Sequence, residues 1–232
     1  MSELVARTGR HQQRYEAGCR LVAGCIPFKY RNRNCEEGDG DGDGDGRSEK
    51  IVEVLMINST SGPGLLFPKG GWENDETVEE AALREALEEA GVRGHLKFCS
   101  FLLVLPCFFS LLVLSVSNLI DFIDKRSLAF QEFLGYYDFK SKTLQDEFSP
   151  EGLCKAAMFA LLVKEELESW PEQSTRQRSW LTVPEAIECC RHPWMQEALE
   201  KGFLKLYADH MISTSKEANH IDSPVHCQGI FD

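Results

Sequence analysis

The tightest constraint on this chain is the stretch Gly70 to Val92. In it Gly70, Glu76, Arg84, Glu85, Glu88, Glu89 and Gly91 stand at fixed spacing, with small or apolar residues at Ala86 and Val92. With each identity carrying a prior of roughly 0.05–0.1, a chance match is on the order of 10⁻⁸ per start position. The stretch also specifies its own local structure. Thr77-Val78-Glu79-Glu80 has the T-x-x-E form of a capping box, which predicts a helix opening near Thr77. Gly91 suits the left-handed position that ends it, and Ala, Leu and Glu, all good helix formers, dominate between. Residues i, i+3 and i+4 share a face, so Glu85, Glu88 and Glu89 crowd within an arc of about 100°. Ala82, Leu83, Ala86, Leu87 and Ala90 form a neighbouring apolar stripe that can pack on a sheet.

Three carboxylates on one face repel unless something positive sits among them. A hard divalent cation with oxygen ligands is the natural answer, and Mg²⁺ binds through one or two carboxylates plus substrate phosphates. Read alone, EALEEA is an ordinary solvated acidic face; its place between a Gly-rich turn and Gly91 argues for a site. Leu65-Leu66-Phe67 reads as a short strand and Pro68-Lys69-Gly70-Gly71 as the turn into the helix. The backbone groups that Gly70 and Gly71 expose, with Lys69, suit a phosphate and a metal ion beside the carboxylates. Lys69 reads equally well as a plain surface lysine.

At 232 residues the chain suits one domain with extensions. Its net charge of −12 argues against a generic nucleic-acid or acidic-membrane surface. A polyanionic substrate would need local basic residues and bound metal to overcome that field. The nine cysteines are irregularly spaced with no zinc pattern, which predicts a reduced, intracellular protein, cytoplasmic or nuclear. Residues 1–20 form a basic arm without an apolar run, which argues against a secretory signal and leaves a mitochondrial presequence as the alternative. Arg14 and Arg20 of this arm are candidates to grip phosphate. Oligomeric state is not constrained.

Leu21 to Tyr30 and Ile51 to Asn58 are apolar and β-branched, as strands are. The acidic, Gly-rich residues 36–49 between them read as a hairpin loop; their DGDGDG run lacks the Glu and flanking helices of an EF-hand. Residues 98–120 hold no charged side chain and are long enough to span a bilayer. Pro106 would interrupt such a helix, and strand-like segments lie on both sides. The competing readings are a membrane helix, a buried helix or strand pair, and an insertion foreign to the domain. Phe133 to Lys140 resumes strand character, and Lys155 to Lys164 reads as a central strand. Arg176 to Leu181 precedes a helical stretch opened by Pro184, and Pro193 to Tyr207 reads as an amphipathic helix. Residues 208–232 are polar and unpatterned, so a disordered tail is expected. Helices interleaved with strands predict an α/β sandwich.

The spaced residues of Gly70–Val92 form the complete signature of the Nudix family. With KIVEVLMIN before them, and KEELESWPE and RQRSWLTVPEAI after, the chain resembles a plant-type Nudix hydrolase. Within that family it is similar to the branch of diphosphoinositol polyphosphate phosphohydrolases and diadenosine polyphosphate hydrolases. The resemblance covers about residues 5–97 and 132–207. It implies an α/β/α Nudix sandwich with a mixed sheet over 21–207, Mg²⁺ or Mn²⁺ dependence, and hydrolysis of a P–O–P bond by water attack at phosphorus. In relatives GVRGHLK looks as if it should run almost directly into EFLGYYDF, which makes residues 98–131 an insertion; their Phe, Leu, Ser and Val content is what a translated intron would supply. Carried onto this sequence, Glu85 and Glu89 would hold the metal, with Glu76 supporting the metal shell or the helix start. Glu88 would be the general base or would orient the water, and Arg84 would position the carboxylates. Lys69, Gly70 and Gly71, with Lys155, Arg176 and Arg178 as weaker candidates, would bind substrate phosphates. Alternative substrates are ADP-ribose, NADH or a capped RNA. If residues 98–131 break the sheet, the chain would instead be inactive or membrane-tethered.

Overall fold

The computed structural model describes residues 6–7, 12–32, 50–96, 133–141, 143 and 145–208. The expected loop at 36–49, the segment 98–131 and all but the first residue of the tail at 208–232 lie outside them. Two long strands, β2 (Cys19–Asn32) and β8 (Leu153–Glu166), pair in parallel from Arg20↔Cys154 to Phe28↔Leu162 and form the centre of the sheet. Both are nearly continuous apolar runs, as strands covered on both faces must be. They extend beyond the expected ends because their polar tips still complete the ladder.

β3 (Lys50–Asn58) returns antiparallel on the other edge of β2, and β4 (Leu65–Leu66) and β9 (Arg178–Thr182) pair with β3. β1 (Tyr15–Glu16) and β5 (Lys69–Gly71) also pair with β2, giving a mixed sheet. β5 corrects the expectation of a simple turn at Lys69–Gly71, and β9 that of a plain lead-in to a helix at Arg178–Leu181. Both are short and owe their conformation to partners distant in sequence.

The remaining edge of β8 is shared end to end. β6 (Val92–His95) pairs antiparallel with Leu162–Glu166, and β7 (Phe133–Lys140) pairs antiparallel with Leu153–Phe159. The chain leaves this edge with His95 opposite Leu162 and rejoins it, running the same way, with Phe133 opposite Phe159. Strand pairing therefore survives on both sides of the apolar segment. Among the described residues no helix is long and apolar enough to cross a membrane.

Helices cover both faces. The helix α1 (Val78–Ala90) packs against β2 through Ala81, Ala82, Ala86 and Ala90, all buried. On the other face Phe28 meets Phe203 edge-on at 5.2 Å and Phe139 stacks on Trp194 at 5.2 Å. The result is an α/β/α sandwich. Two details differ from the sequence expectation. The buried stripe of α1 is all alanine, while Leu83 is exposed and Leu87 half-buried. The last helix is α-helical over Pro193–Glu197 and then widens into π-helical turns over Ala198–Phe203. At Gly202 a Cβ would sit 2.7 Å from the Tyr137 hydroxyl, so the close approach of this helix to β7 requires a glycine there.

Candidate active site

The capping box predicted from T-x-x-E is formed. Thr77 Oγ1 accepts from the Glu80 N–H at 3.2 Å, and the Glu80 carboxylate accepts from the Thr77 N–H at 2.8 Å. Gly91, at φ +61°, ends α1 in the left-handed region, and its N–H bonds back to Leu87 at 3.1 Å. Thus anchored, α1 presents Glu85, Glu88 and Glu89, whose relative exposures are only 8%, 6% and 6%. Carboxylates are rarely this buried without partners.

Arg84 partners two of them, Glu85 and Glu88. Its Nε and Nη2 form a two-point fork on Glu76 at 3.0 and 2.8 Å, and Nη2 also donates to the Gly71 carbonyl at 2.8 Å. Its Nη1 donates to Glu85 at 2.6 Å and lies 3.4 Å from Glu88 Oε2. Glu76 accepts a further bond from the Glu73 N–H at 3.0 Å. The structure thus engages both Glu76 oxygens, the expected metal-shell group, in holding Arg84. Burial pushes the Glu76 carboxyl up, but these hydrogen bonds outweigh it and hold it below the usual range. Burial likewise works to lower Arg84, and its Glu76 and Glu85 partners keep it charged.

At the other three carboxylates burial outweighs the cationic partners. Burial and then the charge of Glu89 push Glu85 up to about 8, against the pull of Arg84. Burial also raises Glu88 and Glu89, opposed at Glu88 by the Arg7 N–H and Arg84 and at Glu89 by Lys69 and Arg176. Glu89 accepts from the Lys69 N–H at 2.8 Å and from the Arg176 guanidinium. At Gly70 a Cβ would collide with the Glu85 carboxylate, so only a glycine lets β5 lie this close to the helix.

Among the described residues no three His, Cys, Asp or Glu side chains converge into a ready cation cage, and Arg84 and Arg176 occupy carboxylate oxygens of Glu85 and Glu89. The donor set nevertheless fits a hard divalent ion: oxygen-only, buried and mutually repelling. Glu85 and Glu89 are the candidates to hold it.

A cleft of about 620 Å³ opens beside this cluster. Of the phosphate-binding candidates it brings together Lys69, Gly70, Gly71, Arg20 and Arg176. The other three stand elsewhere. Arg14 lies over the Trp72 ring, Lys155 over Tyr136 in a separate 260 Å³ cavity, and Arg178 over Trp170 while donating to the Leu167 carbonyl at 3.0 Å. Arg178 also donates through Nη1 to the carbonyl of Gly91, the cap of α1, at 3.4 Å. The cleft adds Lys140, Arg191 and His192, which sequence reading missed. The local signal for Arg191 and His192 was their place directly in front of Pro193, and Lys140 had none. Arg191 also ties down the 59–63 loop through Ser59 Oγ at 2.7 Å and the Ser61 carbonyl at 3.0 Å. Burial, Arg191 and Lys69 together push the His192 imidazole below its usual range.

Comparison with known proteins agrees with this geometry. Residues 43–110 match the family model described as the NUDIX domain. Over 212 residues the chain is 57% identical to "Nudix hydrolase 16, mitochondrial" of Arabidopsis thaliana, covering 91% of this chain and 95% of that protein. The chain belongs to the Nudix hydrolase family. As a Nudix hydrolase it is an enzyme that cleaves pyrophosphate bonds, in a family that generally uses divalent cations such as Mg²⁺ or Mn²⁺. It is also 43% identical over 232 residues to "Nudix hydrolase 12, mitochondrial" of the same plant, covering 100% of this chain and 96% of the relative. Among solved structures it is similar to a Caenorhabditis elegans Ap4A hydrolase complex at 15% identity and TM-score 0.45, covering 82% of this chain and 98% of that one.

Proposed function

We propose that this Nudix hydrolase cleaves a P–O–P bond in a diphosphoinositol polyphosphate or a diadenosine polyphosphate, with Mg²⁺ as the working ion and Mn²⁺ as the alternative. The observation that carries this reading is the cleft: Arg20, Lys69, Lys140, Arg176 and Arg191 line it in a chain of net charge −12. So local a concentration of cations suits a densely charged ligand. The inositol substrate is favoured over the dinucleotide because Trp194 and Phe139, the cleft's two aromatic rings, are stacked on each other at 5.2 Å.

In this reading Glu85 and Glu89 hold the cation, which when bound neutralises phosphate charge and lowers the pKa of nearby water. Glu88 accepts the proton of the attacking water. Arg84, fixed by Glu76, keeps the carboxylates in place, and the cleft cations hold the outer phosphates. Catalysis is then mainly positioning and electrostatics, as in phosphoryl transfer generally. A mitochondrial location is proposed over a cytoplasmic or nuclear one because Nudix hydrolases 16, 12 and 13 of Arabidopsis thaliana, to which the chain is similar, are named mitochondrial.

The test is Mg²⁺-dependent phosphate release from a diphosphoinositol polyphosphate by the full chain. Release that disappears in Glu88→Gln supports the reading. Release from ADP-ribose or NADH alone would overturn the substrate.

A further inference from the structure

We propose that the Ala6–Arg7 segment is a strap that holds Glu88 in the cation-free protein and lets go when a divalent cation enters. The inference rests on the reading that the α1 carboxylates take that cation.

The Arg7 N–H donates to Glu88 Oε1 at 3.2 Å across 81 residues of sequence. The same residue's Nη1 lies 2.7 Å from Glu73, 3.2 Å from Asp75 and 3.8 Å from Glu76. One residue thus ties the acidic turn ahead of α1 to a carboxylate near the helix's far end. The other Glu88 oxygen already faces Arg84 at 3.4 Å, so the strap occupies the oxygen left for water or a cation.

The two ends of the segment are fastened differently. From Gln12 onward the chain is built into the fold: the Gln12 carbonyl accepts from the Asn74 N–H at 2.8 Å, and buried Gln13 donates to the Leu21 carbonyl at 2.7 Å. Arg7 is held by charge, with its side chain 43% exposed. Exposed ion pairs are weak and easily screened. A doubly charged ion among Glu85, Glu88 and Glu89 would repel the guanidinium and displace a neutral amide donor from Glu88. By linkage, whatever factor the cation takes from strap closure, the strap takes from cation affinity.

Hydrogen exchange on the full chain, with and without Mg²⁺, tests this by reading the Arg7 amide and α1 separately. The expected result is an Arg7 amide protected without Mg²⁺ and exposed with it, while α1 becomes more protected. Arg7→Ala should expose the arm at all Mg²⁺ concentrations and lower the half-saturating Mg²⁺ concentration by about fivefold, as loss of a weak competing ion pair would. Glu73→Gln should do the same from the other side of the contact, and Arg7→Lys should restore much of the wild-type response. Mg²⁺ that protects α1 yet leaves the Arg7 amide as protected as before would overturn the strap alone. Mg²⁺ that changes neither would overturn both the strap and the reading of the carboxylates.

Discussion

The Arg176 guanidinium donates to the Glu89 carboxylate, 87 residues earlier in the chain, and its Nε also bonds Glu172 at 3.1 Å. A cleft-lining arginine thereby neutralises a buried carboxylate proposed to hold metal. The first prediction follows from that pairing. Arg176→Gln should destabilise the cation-free protein by roughly 3 kcal/mol, because breaking a buried pair leaves a charge uncompensated. Saturating Mg²⁺ should recover most of the loss by supplying the missing charge. Thermal melting with and without Mg²⁺ checks this, and a deficit unaffected by Mg²⁺ would place Arg176 in a purely structural role.

Glu88→Gln should leave the fold intact and lower kcat by about 10²- to 10⁴-fold, the usual contribution of a positioned general base. The amide keeps the size and one acceptor of the carboxylate but cannot take a proton. Circular dichroism should match wild type while turnover falls; unchanged turnover would remove Glu88 from the proton transfer.

Gly70→Ala should weaken Mg²⁺ binding on the order of 10- to 100-fold, as displacing a supporting contact in a metal site does. The added Cβ collides with the Glu85 carboxylate and must push it from its place. Calorimetric titration of Mg²⁺ into the folded variant is the measurement.

Deleting residues 97–131 should give a folded protein at least as stable as the full chain. Leu96 and Glu132 would then stand opposite Leu161 and Ala160, the two β8 residues between the β6 and β7 pairings, and complete one continuous strand. Cooperative melting with Mg²⁺-dependent hydrolysis retained is expected. A collapsed or aggregated product would show that the segment belongs to the domain.

Glu166 links acid stability to β8. Burial pushes its carboxyl up, but hydrogen bonds from Lys29 at 2.8 Å and the Trp180 indole at 3.0 Å outweigh this and hold it below the usual range. A group depressed in the folded state contributes fully above its unfolded pKa and loses that contribution as pH falls through the folded value. The loss therefore falls below about pH 4.5. Glu166→Gln should lower stability at pH 7 by no more than about 1 kcal/mol, since the group is partly exposed and solvent screens it. The two melting temperatures should converge as the pH drops through that window.

The legible parts of this protein were those with local causes. Thr77 and Gly91 bound a helix through contacts within a few residues, and the structure has that helix at Val78–Ala90. β2, β3, β7 and β8 were readable from their runs of apolar residues. β5 and β9 were not, because three and five residues take strand conformation only when a neighbouring strand completes their hydrogen bonds. Which leucines of α1 face inward was also hidden: the helix approaches the sheet through alanines, since its carboxylates fill the rest of the inner face.

The family, the helix at Val78–Ala90 and the crowding of Glu85, Glu88 and Glu89 on one face could all be read from the residues alone, because helical periodicity converts spacing into geometry. Which cations reach the cleft became visible only in the folded chain. Arg20, Lys69, Lys140, Arg176 and Arg191 come together from separate segments, while Arg14, Lys155 and Arg178, no less basic, do not join them. A charge marks what a side chain can bind. Where it points depends on strand register and on the loops that carry it, and those are settled by long-range pairing.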